Sequence, residues 1–391
     1  MNTVFNRIRS IDVFRAVTVF LMIFVNDLED VPNTPTWIKH VPDEGYGLGL
    51  ADTVFPAFLF IVGLSIPYAF KSRMENSGRQ IPWRIVTRSF ALIVIGFFLS
   101  NIDNYNSATA LLSEPVWEML TTLSFFFIFL DFRKQTTPLK RYLLQGFGIA
   151  LLIAMSLLYK SKDPAHNWLH FTWWEILGLI GWSYLVCGLI YYYSKGKLWV
   201  QAAFTMFFIL FNIDAHYGFF DVLSPLQEYV WIAGNGAMQA FTMAGIFVSV
   251  LYIQLSAEKK TRFLWICLSL TAAALFNLGF IVNGGIPKSR DTPGWVLICT
   301  AISIVVYLLF IYIVDIKHKY HWFKIIEPAG KNAFTCYLIS SLFYPVFQLT
   351  NLDYPHYLSF GAGGVIKCLL FALAMVWITA LLAKIHVRLK I

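Results

Sequence analysis

Apolar residues in this chain fall in long unbroken runs separated by short, polar, turn-rich breaks. A hydrocarbon core about 30 Å thick is crossed by roughly 20 apolar residues of helix. Hydropathy and turn signals predict twelve such helices, at about 12–27, 52–70, 84–101, 115–131, 141–159, 172–193, 198–213, 228–254, 262–282, 294–314, 331–350 and 362–383. The seventh is the least sharply bounded, because FNIDAHYGFFDVLSP blurs its end, so ten or eleven spans stay open. Barrel strands would show short segments of alternating polarity, and these runs do not alternate. The pattern predicts an all-α, polytopic membrane bundle forming one domain over residues 1–391, with no loop longer than about 30 residues.

Composition agrees. The chain is 58% hydrophobic and 13% charged, against about 25% charged residues in soluble domains. Its net charge of +8 raises the question of nucleic acid, but the basic residues lie beside the ends of the apolar runs. With the N-terminus cytoplasmic, 24 of the 30 lysines and arginines fall on inner segments. The outer segments hold Lys39, Lys160, Lys162, Lys288 and Arg290, and Lys367 lies within the last span. That alternation is the positive-inside pattern. It predicts cytoplasmic termini, an outward-facing loop from Asn26 to Asp52, and no nucleic-acid partner.

The basic N-terminus followed by an apolar run resembles a signal peptide. No small-x-small cleavage site follows Val25, so the run is expected to stay as a helix. Cys187, Cys267, Cys299, Cys336 and Cys368 all sit in predicted spans, where lone cysteines are small apolar packers. With no CxxC, no HExxH and no Cys/His cluster, no metal is expected. Clusters such as Trp168–Trp174 and Tyr191–Tyr193 fit interfacial aromatic belts.

Candidate chemistry gathers between Arg7 and Pro67. Ionisable residues within or beside membrane spans are costly and point to function. Asp12 and Arg15 are three apart on the first helix and share a face; an ion pair that fixes helix depth is the plain alternative. His40 lies in the outer loop with Asp27, Asp43, Glu44 and Asp52 near enough in sequence to orient it. A neutral imidazole accepts a proton from an attacking amine or hydroxyl, or itself takes an acyl group. Asp52 also fits as a cap for the second helix, whose Pro56, Gly63 and Pro67 make it irregular. A second outer cluster, NGGIPKSRDTPGW at 283–295, carries Lys288, Arg290 and Asp291. The segment Glu327-Pro-Ala-Gly-Lys-Asn332 lacks the GxxxxGK[ST] pattern of a phosphate loop.

These residues carry a resemblance. RIRSIDVFRAVTVFLMIFVN followed by LADTVFPAFLFIVGLSI resembles the start of the heparan-alpha-glucosaminide N-acetyltransferase family. The shared pattern is R-x-x-S-x-D-x-x-R, an apolar run ending V-N, a loop histidine, and A-D-x-V-F-P-x-F-x-F-I-x-G. IPKSRDTPGWVL and AGKNAFTCYLISS resemble later family segments, while about 100–280 shows no such match.

The resemblance implies acetyl transfer from cytosolic acetyl-CoA to an acceptor across the membrane. It implies a donor site at Arg7, Arg9, Arg84 and Arg88, with Asp12 and Arg15 of the first helix. His40 becomes general base or transient acyl carrier, Asn26 the group that steadies the oxyanion, and Asp52 the third catalytic residue. Asp27, Lys288, Arg290 and Asp291 become acceptor contacts on the outer face. The expected setting is a bacterial cytoplasmic membrane, with acetyl-CoA as co-substrate and an amino sugar or envelope glycan as acceptor. A homodimer stays open. The competing class is a transporter for an anionic sugar or glycan precursor, which the absence of internal repeats disfavours.

The charge pattern makes the first prediction. Cysteines introduced at positions 79, 140 and 260 should react only with reagents that reach the cytoplasm; labelling of position 79 from outside overturns the orientation.

Overall fold

The structure is a computed structural model. It describes residues 8–42, 47–77 (71–77 as backbone), 80–132, 136–171, 175–220, 222, 233–258, 260–282, 291–350 and 355–391. Among these, secondary structure is helical apart from isolated bridges. The helices are α1 (Arg9–Leu28), α2 (Leu50–Ser77), α3 (Gln80–Ser100), α4 (Glu114–Phe129), α5 (Pro138–Leu158), α6 (Ile176–Tyr193) and α7 (Leu198–His216). They continue as α8 (Ala237–Ala257), α9 (Thr261–Ile281), α10 (Pro293–Phe310), the short α11 (Glu327–Lys331), α12 (Ala333–Thr350) and α13 (Gly361–Lys384).

Each expected run is thus a helix, with shifted ends. Ten are long and apolar enough to cross a membrane. The other two are α1, whose Arg9, Asp12, Arg15 and Asp27 lower its hydropathy, and α4, which has only 16 residues. The chain is a multi-pass helical membrane protein. The expected eleventh helix divides at Asn332, whose φ of −131° and ψ of 46° leave helical geometry between α11 and α12. The tenth runs past Phe310 through a π turn, Ile311–Ile316.

Burial sorts the helices into two shells. α2, α8 and α10 are the most enclosed, while α5, α7 and α9 turn most of their surface outward. The outward face of α5 presents Leu139, Leu143, Phe147, Ile153 and Leu157, a lipid-facing set. Three apolar clusters fill the interior. One centres on α2, α3, α6 and α8, a second on α1, α2, α8 and α10, and a third on α1, α2, α12 and α13. Val31 and Ile38 of the first loop belong to the third cluster, so that loop is anchored on the bundle.

The tightest contact is α2 against α8. A Cβ on Gly63 would collide with the Thr242 carbonyl, and one on Gly245 with the Phe60 carbonyl. Lipid offers helices no hydrophobic reward for association, so close backbone approach and interhelical hydrogen bonds hold them together. One such bond, Ser249 Oγ to the Leu64 carbonyl at 2.9 Å, lies in this seam. By contrast, a Cβ on Gly146 of α5 meets open space. Gly63→Ala should therefore destabilise by about 1–3 kcal/mol through overpacking, while Gly146→Ala should be neutral or mildly stabilising. Thermal unfolding in detergent compares the two, and equal midpoints would refute this account of the seam.

Candidate active site

The first loop folds back because its last residues pair with its middle. The Leu50 and Ala51 amides donate to the carbonyls of Trp37 and Ile38, at 2.8 and 3.2 Å. Gly49 is required at that corner, since a Cβ there would run into the Lys39 carbonyl. The closure carries His40 onto the first turn of α2. His40 Nδ1 lies 2.7 Å from Asp52 Oδ1, and the amides of Val41 and Gly49 donate to Oδ2 at 3.2 and 3.0 Å. The Asp52 side chain is 1% exposed and that of His40 is 28% exposed. A fully buried carboxylate is thus met by three donors, and the imidazole it orients still reaches outward. On the far side, Trp295 Nε1 donates to the Asp52 carbonyl at 3.0 Å. The late segment IPKSRDTPGWVL therefore ends against the start of α2.

The other end of α1 and α2 is basic. Arg15 donates to Asp12 at 3.3 Å, to the Gly330 carbonyl at 3.4 Å and to Ser65 Oγ at 2.6 Å. The charge is shared between an ion pair and two neutral acceptors on other helices, which binds α1 to α2 and α11. Arg15 and Ser65 also line a cavity of about 760 Å³ between α1, α2, α3, α6 and α12. Arg84, Arg88, Lys331 and Lys390 line the same cavity, and Asn332 contributes at the break between α11 and α12. Irregular backbone at membrane depth is tolerated where it faces a cavity. Further along, the wall is apolar: Met22, Phe58, Val62 and Leu177. At 1.5 Å per residue, Phe58 lies about 9 Å along α2 from Asp52. The cavity thus leads from a cationic end towards the His40 end.

Placement of the other candidates is mixed. Arg9 stacks over the Tyr320 ring at 4.5 Å and is not a cavity-wall residue. Arg88 lies over Tyr184 at 5.0 Å, within the wall. Asn26 is exposed near the end of α1, and the described hydrogen bonds of His40 and Asp52 do not run to it. Asp27 pairs with Lys367 at 3.4 Å. Asp291 has φ of 43°, and its carbonyl accepts from Asn212 Nδ2 at 2.9 Å. Arg7, Asp43, Glu44, Arg79, Lys288 and Arg290 lie outside the described residues.

Sequence reasoning passed over one buried pair. Glu175 precedes α6, and its Oε2 accepts from the Leu177 amide at 2.8 Å. Its Oε1 accepts from Tyr337 Oη at 2.7 Å, and Tyr337 lines the cavity. The available signal was a lone carboxylate directly ahead of an 18-residue apolar helix, masked by the aromatic cluster before it.

Fold and site together define a multi-pass helical membrane protein with a histidine–carboxylate pair near one end and a cation-lined cavity towards the other. The chain belongs to the family described as "Domain of unknown function (DUF5009)", which matches residues 7–224, more than half its length. It is also 40% identical over 103 residues to heparan-alpha-glucosaminide N-acetyltransferase of Mus musculus, covering 26% of this chain and 15% of that protein. The Homo sapiens enzyme of the same name is 39% identical over 102 residues, covering 25% and 14%. The chain thus spans about one seventh of the curated relatives it matches. A resemblance to that enzyme is thus supported over a part of the chain.

The hydrogen bonds at Asp52 make a stability prediction. Asp52→Ala strands the Val41 and Gly49 amides, and His40→Ala leaves the buried Asp52 Oδ1 without its ring donor; each should cost about 1–3 kcal/mol. Thermal unfolding of the two variants tests both, and a midpoint equal to wild type for either refutes this account of the pair.

Proposed function

We propose that this chain is a transmembrane acetyltransferase. It takes an acetyl group from acetyl-CoA at the basic end and delivers it to an acceptor at the His40 end. The observation that carries this reading is the His40–Asp52 bond, with its outward-facing imidazole, at the opposite end of α1 and α2 from the cationic part of the cavity. Charge asymmetry makes the basic end cytoplasmic, where acetyl-CoA is found.

Arg84 and Arg88 would hold the phosphates of CoA, since guanidinium groups bind them in a bidentate fork. Arg15 is already engaged by Asp12 and Ser65, so it shapes the wall. The apolar stretch past Phe58 and Val62 suits the slender thioester arm and keeps water from it. Asp52 accepts the Nδ1 proton of His40, which leaves the Nε2 lone pair for the acceptor. In direct transfer, the acceptor amine or hydroxyl gives its proton to Nε2 as it bonds to the acetyl carbon. The carbon–sulfur bond breaks, and the CoA thiolate takes up a proton. In the stepwise variant Nε2 itself carries the acetyl group between donor and acceptor. The relatives' name, which specifies a glucosaminide, supports an amino-sugar acceptor; an envelope glycan is the other candidate on the outer face.

The test is labelled acetyl-CoA with amino sugars and envelope glycans, using protein reconstituted in vesicles. His40→Ala should lower transfer by about 10²- to 10⁴-fold, the usual worth of positioned proton transfer, with CoA binding retained. Labelling of the protein alone, lost in His40→Ala, selects the stepwise variant. Arg84→Ala with Arg88→Ala should weaken CoA binding and make it less sensitive to salt. Near-normal transfer by a folded His40→Ala protein refutes the histidine's role. Turnover with none of the acceptors turns the assignment to a transporter.

A further inference from the structure

The loop between α5 and α6 holds a group of side chains that acetyl transfer does not use. Asp163, His166 and His170 follow a D-x-x-H-x-x-x-H spacing, and one ligand atom from each lies within 4.8 Å of the other two. Asp163 Oδ2 is 3.0 Å from His166 Nδ1 and 3.5 Å from His170 Nε2. The two imidazoles stack at 4.6 Å between centroids. Zinc–ligand bonds of about 2.0–2.1 Å put tetrahedral ligand atoms roughly 3.3 Å apart, between the two separations seen.

The hydrogen bonds explain why these atoms face one another. The Ala165 amide donates to Asp163 Oδ1 at 2.9 Å, which turns Oδ2 towards the histidines. His170 Nδ1 lies 3.2 Å from the Trp168 carbonyl, which can only accept, so Nδ1 carries the proton. With Nδ1 so engaged, Nε2 is the ring nitrogen turned to Asp163 Oδ2, the oxygen that His166 Nδ1 also meets, so the ring nitrogens of both histidines converge on one carboxylate oxygen. A ligating histidine that donates its other ring N–H to a carbonyl is the usual outer-shell arrangement of a metal site.

The frame is firm. Asn106 and Lys162 amides donate to the Lys160 and Asn104 carbonyls at 2.9 and 2.7 Å, and the His170 amide donates to Asn101 Oδ1 at 3.3 Å. Lys162, the nearest cation in sequence, is engaged elsewhere, donating to the Asp103 carbonyl at 3.0 Å and lying 3.8 Å from Glu114. His166 is 58% exposed, which leaves one side of the group open to solvent.

We propose that Asp163, His166 and His170 form a Zn²⁺ site on this loop, with water in the open position. Two imidazoles and one carboxylate suit zinc and not the all-oxygen preference of Ca²⁺ or Mg²⁺. The site clips the loop that leads into α6 and does not depend on acetyl transfer.

The full-length protein, purified in detergent without a polyhistidine tag and stripped with a chelator, is titrated with ZnCl₂ by calorimetry, with CaCl₂ and MgCl₂ in parallel. Wild type should take up one Zn²⁺ per chain in the micromolar range or tighter, ignore Ca²⁺ and Mg²⁺, and melt at a higher temperature with zinc. His166→Ala with His170→Ala should lose both effects, while its zinc-free melting matches wild type. Asp163→Asn keeps both imidazoles and provides a second test, with zinc affinity reduced at least about tenfold. Absence of zinc binding to wild type, or equal binding by the variants, overturns the site.

Discussion

A buried carboxylate must be met by donors or it unfolds what surrounds it, and Asp52 is the carboxylate on which this architecture turns. It sits in the first turn of the most enclosed of the N-terminal helices. Its oxygens gather His40 and the amides of Val41 and Gly49, while its carbonyl receives Trp295. One residue thereby fixes the loop's closure, the aim of the imidazole and the seating of α10 on α2. Moving any of these partners leaves a buried polar group unpaired, so loop geometry and bundle packing are coupled.

The α1–α2 hairpin is pinned at both ends by polar contacts of different kinds. At one end the His40–Asp52 bond combines burial with an outward-facing ring. At the other, Arg15 reaches across to Ser65 and Gly330. Ser65 and Phe58 are seven residues apart, about 10 Å along α2, and both face the cavity. The Gly63–Gly245 seam with α8 clamps α2 between these points. The hairpin is therefore held at both ends and along its length.

The helices were legible because the bilayer imposes one rule on every span, and hydropathy reads that rule directly. Twelve runs were visible, and each has a helix of at least 16 residues. Their ends were less legible: α2 outruns its apolar stretch to Ser77, and α11 ends at Asn332, whose dihedrals leave the helix. At the site, His40 and Asp52 were visible as polar residues crowded against apolar ones. Their bond was not, because four carboxylates stood within reach in sequence and only the fold selects one. Glu175 and Tyr337 are 162 residues apart, and no local pattern joins them. Nor did the sequence flag Asp163, His166 and His170, since D-x-x-H-x-x-x-H in a loop gains meaning only when the chain brings the three together.

The family match over residues 7–224 encloses His40, Asp52, Arg84, Arg88 and Glu175, yet the site is not complete within it. The cavity's remaining wall comes from α11, α12 and the last residues, and the support beneath Asp52 comes from Trp295. Tyr337 meets Glu175 from outside the matched region. A site divided in this way depends on the whole bundle closing, because each half alone would expose unpaired polar groups to lipid. That dependence accounts for the polar bridges between distant helices: Arg15 to Gly330, Trp295 to Asp52 and Tyr337 to Glu175 each join residues more than 150 positions apart. In lipid, where apolar faces carry little information about which helix should meet which, these bonds specify the partner.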